Sequence, residues 1–241
     1  MTPAIEFVAA RYAIDRRSIV GPLDFEVRRG ETLVFLGESG SGKTTSLRLV
    51  NRLLVPTGGD VRVDGRSTDA WDPVRLRRGI GYVIQHVGLL PHLTVSGNVG
   101  LVPALEHWPA ERIRQRVVEL LSLVGLPAAE FGTRHPHELS GGQRQRVGVA
   151  RALAADPPLL LCDEPFGALD ARTRAVLQRE FRDLVARLDK TVVFVTHDIG
   201  EARLLASRLA VFDGGRVTFI GTPAEFDATS DPASRALQDP A

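Results

Sequence analysis

The sequence predicts an α/β fold: a parallel sheet covered by helices, interrupted by a helical insertion. Three observations carry this reading. Apolar, strand-length segments alternate with helical stretches over the last third of the chain, as in βαβ architecture. The middle, from Pro91 to about Ala155, has helical texture throughout. Near the start, an apolar strand runs through a glycine-rich turn directly into a helix. With 241 residues, 44% hydrophobic and 24% charged, the chain suits one large domain with an inserted lobe rather than a disordered polymer.

In order, IEFVAARY (5–12), LDFEVRRG (23–30) and TLVFLG (32–37) read as strands, and a helix is expected from near Lys43 to about Leu54. Short strands follow at VRVDG (61–65) and IGYVIQ (80–85). In the insertion, Ile113, Val117, Leu120, Leu121 and Val124 fall at helical spacing, with Arg112, Arg114 and Arg116 mostly opposite. Strands return at LLLCD (159–163), TVVFVT (191–196) and RLAVFD (208–213), separated by helices over 171–188 and 198–206. The tail, ATSDPASRALQDPA, is small, polar and proline-containing and is expected to be poorly ordered. No internal repeat is visible.

Composition excludes several roles. A formal charge of +1 supplies no field for nucleic acid or anionic lipid, so no nucleic-acid partner is expected. No apolar run reaches membrane-spanning length, and MTPAIEFVAARY lacks the pattern of a secretory leader, so a cytosolic, unprocessed protein is expected. Cys162 is the one cysteine, which rules out an intramolecular disulfide or a multi-cysteine metal site and suits a small core residue. Only Lys43 and Lys190 are lysine among 30 basic residues, so each surviving lysine invites a reason.

Lys43 has one. Gly37-Glu38-Ser39-Gly40-Ser41-Gly42-Lys43-Thr44 satisfies the GxxxxGK[ST] pattern between strand and helix. Glycines let several backbone N–H groups converge on the same phosphates, and the helix start adds its positive end. The Lys43 ammonium would reach the β- and γ-phosphates, where a guanidinium fork fits poorly, and the Thr44 hydroxyl would ligate Mg²⁺. LLLCDE (159–164) is an apolar strand ending in two carboxylates: Asp163 for Mg²⁺, directly or through water, and Glu164 as general base for an attacking water. In LSGGQ (139–143), Ser140 with the amides of Gly141 and Gly142 makes a second anion-facing helix start, or an ordinary helix cap. Two cradles serve one γ-phosphate if two copies pair head to tail. The QRQR run (143–146) reads as a solvated helix face.

Taken together, GESGSGKT, LSGGQ, LLLCDE, the ALD segment (168–170) and TVVFVTH, in this order and spacing, resemble an ABC transporter nucleotide-binding subunit over roughly residues 5–226. The resemblance implies a P-loop (RecA-like) ATPase core with a mostly parallel sheet, an N-terminal antiparallel β part and an inserted helical subdomain. It divides the chain into a core of 1–90 and 158–228, a helical signature subdomain of 91–157 and a flexible tail of 229–241. It makes Tyr12 the residue that stacks on adenine, or a plain strand tyrosine. Thr45 joins residues 37–44 in ATP binding. Gln85 senses Mg²⁺ and the attacking water, or simply ends a strand. His197 contacts the γ-phosphate, or caps the next helix. Leu139, Ser140, Gly141, Gly142 and Gln143 form the signature offered to the partner's site, and Asp170 lies at the dimer interface.

The stretches GYVIQHVGLLPHLTVSGNVGLVPAL, RHPHELSGGQRQRVGVARALAADPP and DEPFGALDARTR resemble the ATPases of quaternary-amine uptake systems for glycine betaine, carnitine or choline. That resemblance implies a Mg²⁺-dependent ATPase that energises transport. It would sit on the cytoplasmic face of the membrane with an integral permease, a second copy of itself and an extracytoplasmic substrate-binding protein. The loop bearing Val87, Leu89, Leu90, Pro91 and Leu93 is expected to dock a short permease helix, unless a core hides it. Many of that group carry C-terminal CBS modules; this sequence ends soon after the catalytic fold, which implies control from elsewhere. The motor of another importer or an exporter, or a soluble ABC ATPase, would share the ATP motifs.

Overall fold

The computed structural model describes residues 2–85 and 87–238. They fall into two compact units, one within Met1–Arg77 and Phe181–Ala241 and the other Arg78–Glu180. The first unit opens with long antiparallel strands β1 (Ile5–Ile14) and β2 (Arg17–Val27). Next come β3 (Thr32–Leu36), α1 (Lys43–Val50), β4 (Gly58–Val63), the two-residue β5 (Arg66–Ser67) and α2 (Pro73–Arg78). One sheet has the order β2-β1-β4-β5, all antiparallel. Helix α1 ends at Val50, short of the expected Leu54. Arg52 turns left-handed (φ 53°), and the Leu53 N–H reaches back to the Arg48 carbonyl at 3.0 Å. That closure normally uses glycine, so it carries no sequence signal.

The second unit begins with β6 (Ile80–Ile84). Helices α3 (Val95–Val99), α4 (Leu101–Leu105), α5 (Ala110–Leu123), α6 (Ala128–Phe131) and α7 (Gly141–Leu153) precede β7 (Leu159–Asp163) and α8 (Ala171–Arg187). Strands β6 and β7 pair in parallel. The apolar stripe of α5 buries Val117, Leu120 and Leu121 as its spacing predicts. The arginines opposite are not all idle: Arg116 donates to the Leu153 and Ala154 carbonyls at 3.0 and 3.3 Å, closing the end of α7. This unit does not coincide with the expected 91–157 lobe. It also takes in β6, β7 and the first part of α8.

The chain returns to the first unit with β8 (Thr191–Thr196), α9 (Ile199–Leu205), β9 (Arg208–Asp213), β10 (Arg216–Gly221), α10 (Pro223–Ala228) and α11 (Pro232–Gln238). Here β9, β3 and β8 lie side by side in parallel, and β10 is added antiparallel to β9. Strands β3 and β8 are buried at every position, as continuous apolar strands of a helix-covered sheet should be. A file of rings joins the two sheets of this unit: Phe7 stacks on Phe25 at 4.6 Å, Phe25 meets Phe35 edge-on at 5.8 Å, and Phe35 meets Phe212 at 4.8 Å. Emptying such a site typically costs about 3–5 kcal/mol for Phe→Ala.

The expected loose tail is corrected over 232–238, which form α11. Asp231 accepts from the Ser234 amide at 2.8 Å and its hydroxyl at 2.7 Å, and Ser234 is fully buried. Local capping outweighs the polar composition there; positions 239–241 of that expectation lie outside the described residues.

Candidate functional site

In the first unit, β3 delivers the chain to Gly37 at the carboxyl edge of the parallel strands, where open α/β sheets bind ligands. The turn is built by backbone geometry that only glycine holds easily. Gly37, Gly40 and Gly42 have φ of 154°, 82° and 102°. A Cβ on Gly37 would stand 2.3 Å from the Phe212 carbonyl oxygen, and one on Gly42 2.9 Å from Val20 Cγ2. Gly40 has nothing within 4 Å of such a Cβ, and Glu38, Ser39 and Gly40 form the exposed crown of the loop. Lys43 is 4% exposed, and its ammonium donates to the Gly37 and Glu38 carbonyls at 2.7 and 2.6 Å. Helix α1 starts at Gly42 with no side-chain cap and no acidic residue in its first turn, which Thr44 and Thr45 share with Lys43. A cation folded into the loop and an uncapped helix start together suit a phosphate.

Two other expected residues lie around this loop. Tyr12 is half-buried in an irregular stretch of β1, opposite Val20, the residue packed against Gly42. His197 directly follows β8, and Leu36 and Thr196 are register partners, so Gly37 and His197 leave adjacent parallel strands at the same edge. His197 is exposed and does not cap α9. Asp198 does, accepting from the Glu201 amide at 2.8 Å.

In the second unit, Asp163 ends β7 opposite Ile84 of β6, 8% exposed, with Tyr82 Oη at 3.5 Å from its Oδ2. Glu164 follows at φ 46°, a left-handed conformation uncommon for glutamate that turns the chain sharply out of the strand. Its carbonyl accepts from the Gly167 amide at 3.2 Å. Gln85, past the end of β6, lies against the same turn: a Cβ on Gly167 would stand 3.0 Å from Gln85 Nε2. The paired strands thus bring Gln85 and Glu164 to one place. Asp170 caps α8, accepting from the Thr173 amide at 3.0 Å, and this hydrogen bond holds its carboxyl below the usual range.

The signature residues Leu139, Ser140, Gly141, Gly142 and Gln143 open α7. Ser140 Oγ accepts from the Gln143 amide at 3.2 Å, and Gln143 Oε1 accepts from the Ser140 amide at 2.8 Å, a complete capping box. A Cβ on Gly142 would stand 2.8 Å from Thr173 Cγ2, so the signature packs against the start of α8, beside Asp170.

The loop after Gln85 is less free than its apolar sequence suggests. Leu89, Leu90 and Leu93 are half-buried and Pro91 is exposed. Three residues that sequence reading passed over hold it: Asn98, Gly148 and Arg151. The fully buried Asn98 accepts from the Leu90 amide at 2.7 Å and donates to the Leu90, Leu93 and Thr94 carbonyls at 3.0 to 3.2 Å. The signal available for Asn98 was a polar residue among the apolar positions of α3; Arg151 and Gly148 gave none.

Fold and loop define a P-loop α/β protein whose second unit lies inside the first in sequence. The chain belongs to the ABC transporter family, whose profile matches residues 20–167. Over 209 residues it is 51% identical to the glycine betaine/carnitine/choline transport ATP-binding protein OpuCA of Bacillus subtilis (strain 168), covering 87% of this chain and 55% of that protein. It is 47% identical over 235 residues to the choline transport ATP-binding protein OpuBA of the same organism, covering 98% and 61%. The matched chain therefore spans between half and two thirds of the length of these relatives. A solved dimeric ATP-binding cassette in a post-hydrolysis state, bound to ADP and Pi, is 35% identical with a TM-score of 0.78, covering 91% of this chain and 97% of that one.

Proposed function

We propose that the chain is the ATP-hydrolysing motor of an ABC importer for glycine betaine/choline-type osmoprotectants. The observation that carries the substrate class is the 51% identity to a quaternary-amine transport ATP-binding protein, and the observation that supports ATP is the glycine loop closed over Lys43 ahead of an uncapped helix. In this reading the amides of residues 38–45 and Lys43 hold the phosphates and Tyr12 stacks on the adenine. Glu164 takes a proton from the attacking water, oriented by Gln85, and His197 donates to the γ-phosphate as charge develops.

Thr44, Asp163 and Gln85 would hold Mg²⁺. Asp163, 8% exposed at the end of β7, is the one carboxylate of this set, which fits an ion that fills the rest of its shell from phosphates and water. When bound, Mg²⁺ neutralises charge on the β- and γ-phosphate oxygens.

The proposed assembly is a head-to-tail pair of copies, Asp170 at their interface and Ser140 of each facing the other's nucleotide, beneath a permease docked at Leu89 to Leu93, with an extracytoplasmic binding protein. Among the described residues no helix is long and apolar enough to cross a membrane; the proposed place is on the cytoplasmic face, beside the permease. The deciding experiment is uptake of radiolabelled glycine betaine, carnitine and choline by salt-stressed cells lacking the gene and redundant importers, beside ATPase assays of the purified chain. Uptake is expected to vanish. Undiminished uptake of all three removes the substrate, and absence of ATP turnover removes the motor.

A further inference from the structure

We propose that Arg151 is a positioning residue that ties the segment after Gln85 to the signature helix, so that the Gln85 turn and the loop through Leu93 follow α7. Its effect on turnover rests on the ATPase reading above; the tie itself stands on geometry within the second unit. Arg151 lies in the last turn of the helix that Ser140 opens. Its guanidinium donates through Nη2 to the Val87 carbonyl at 2.5 Å and through Nη1 to the Gly88 carbonyl at 2.7 Å. Those carbonyls are presented by a backbone that would not choose this shape alone: Val87 and Gly88 have φ of 26° and 58°. For a β-branched residue such a conformation persists only where its surroundings impose it.

A second contact presses on the same residue. Gly148, one turn before Arg151, faces Val87 so closely that a Cβ there would stand 2.5 Å from Val87 Cγ1. From the other end of the loop, Asn98 grips Leu90 and Leu93. The segment Val87 to Leu93 is thus clamped at its start by α7 and at its end by α3. Arginine suits the start because a planar fork offers two donors at fixed separation to two successive carbonyls; a lysine ammonium is a single point on a flexible stem. Burial pulls the Arg151 pKa below the ordinary arginine value, and its charge is met by carbonyl dipoles. Helix α7 therefore carries the signature at one end and the anchor of the Gln85 loop at the other.

The test compares Arg151→Lys, Gly148→Ala and the double variant Gly148→Ala/Val87→Ala with the parent chain. Amide hydrogen exchange is read at Gly88 to Leu93, and kcat and the half-saturating ATP concentration are measured separately. Arg151→Lys and Gly148→Ala are each expected to speed exchange in the loop about tenfold while the amides of α7 stay protected, since only local opening is made easier. Turnover should fall about tenfold or more, with half-saturation within about twofold, because the defect is misplacement of Gln85 rather than loss of nucleotide contacts. Shortening Val87 in the Gly148→Ala background makes room for the new methyl, and exchange and kcat should return towards the parent values. Unchanged loop exchange in Arg151→Lys, or a double variant no better than Gly148→Ala, overturns the proposal. A parent chain that hydrolyses no ATP overturns the ATPase reading instead, and the exchange arm still decides the tie.

Discussion

Helices α1 and α7 begin with nearly the same vocabulary, glycines and serines ahead of a polar helix, and they end up in opposite states. Helix α1 starts at Gly42 without a side-chain cap, and its lysine is folded back onto the carbonyls of its own loop. Helix α7 starts at Ser140 with both capping-box bonds made. The first therefore offers all its first-turn donors to an anion, while the second has its Gln143 amide already capped by its own serine. A capping bond of this kind contributes about 0.5–2 kcal/mol and uses only the acceptor side of the Ser140 hydroxyl, so in the proposed pair its O–H can still donate to a second copy's nucleotide while the cap stays made. The cradle of the first unit is uncapped; the signature is capped by its own serine.

The largest test of that difference leaves both cradles intact and removes the chemistry. Glu164→Gln preserves shape and should reduce steady-state ATP hydrolysis by about 10² to 10⁴ while ATP binding measured by calorimetry persists. With the nucleotide trapped, light scattering should register ATP-dependent dimers. A monomer at every concentration, with hydrolysis intact in the parent, would break the idea that α7 serves a second copy.

Lys43→Arg attacks the uncapped cradle. The ammonium occupies a nearly closed space between the Gly37 and Glu38 carbonyls, too small for a guanidinium fork. Calorimetric nucleotide affinity should fall by about tenfold or more, equivalent to about 1.4 kcal/mol. Equal affinity would mean that the loop accepts any cation and that its shape matters little.

Ser140→Ala attacks the capped one. It should lower stability by about 1 kcal/mol through the lost cap, measured by denaturant unfolding, without weakening nucleotide binding by the isolated subunit. A weakened binding constant in the monomer would place the signature in the same copy's site.

The smallest effect concerns the neighbour of the signature. Asp170 has its folded pKa lowered by the Thr173 amide, so its contribution is present above the unfolded carboxylate pKa and is lost as pH falls through the lowered folded value. Asp170→Asn should flatten the acid side of the curve of melting temperature against pH and leave the neutral side nearly unchanged.

Reading the chain in one dimension found the glycine loop, the carboxylate pair and the signature because each is a contiguous run whose residue types follow from its chemistry. It missed β10, α10 and α11. For α10 the signal was present: Thr222-Pro223 followed by Glu225 is a capping box with proline at the first turn. The early end of α1 had no such signal, because Arg52 takes a conformation usually left to glycine.

The abundance of arginine was legible as a count and opaque as a device. Arg116, Arg146 and Arg151 each donate to backbone carbonyls at the end of an element or in a loop. The sequence by itself determined the strand and helix alternation, the glycine loop ahead of α1 and the family, because those depend on local periodicity and on chemistry written in adjacent positions. Only the tertiary structure decided that Gln85 meets the turn after Glu164 and that Asn98 and Arg151 hold the loop between them. The arginine contact joins residues 64 positions apart through a carbonyl group of a kind every residue carries. A bond to the backbone leaves no mark on the identity of the residue that receives it.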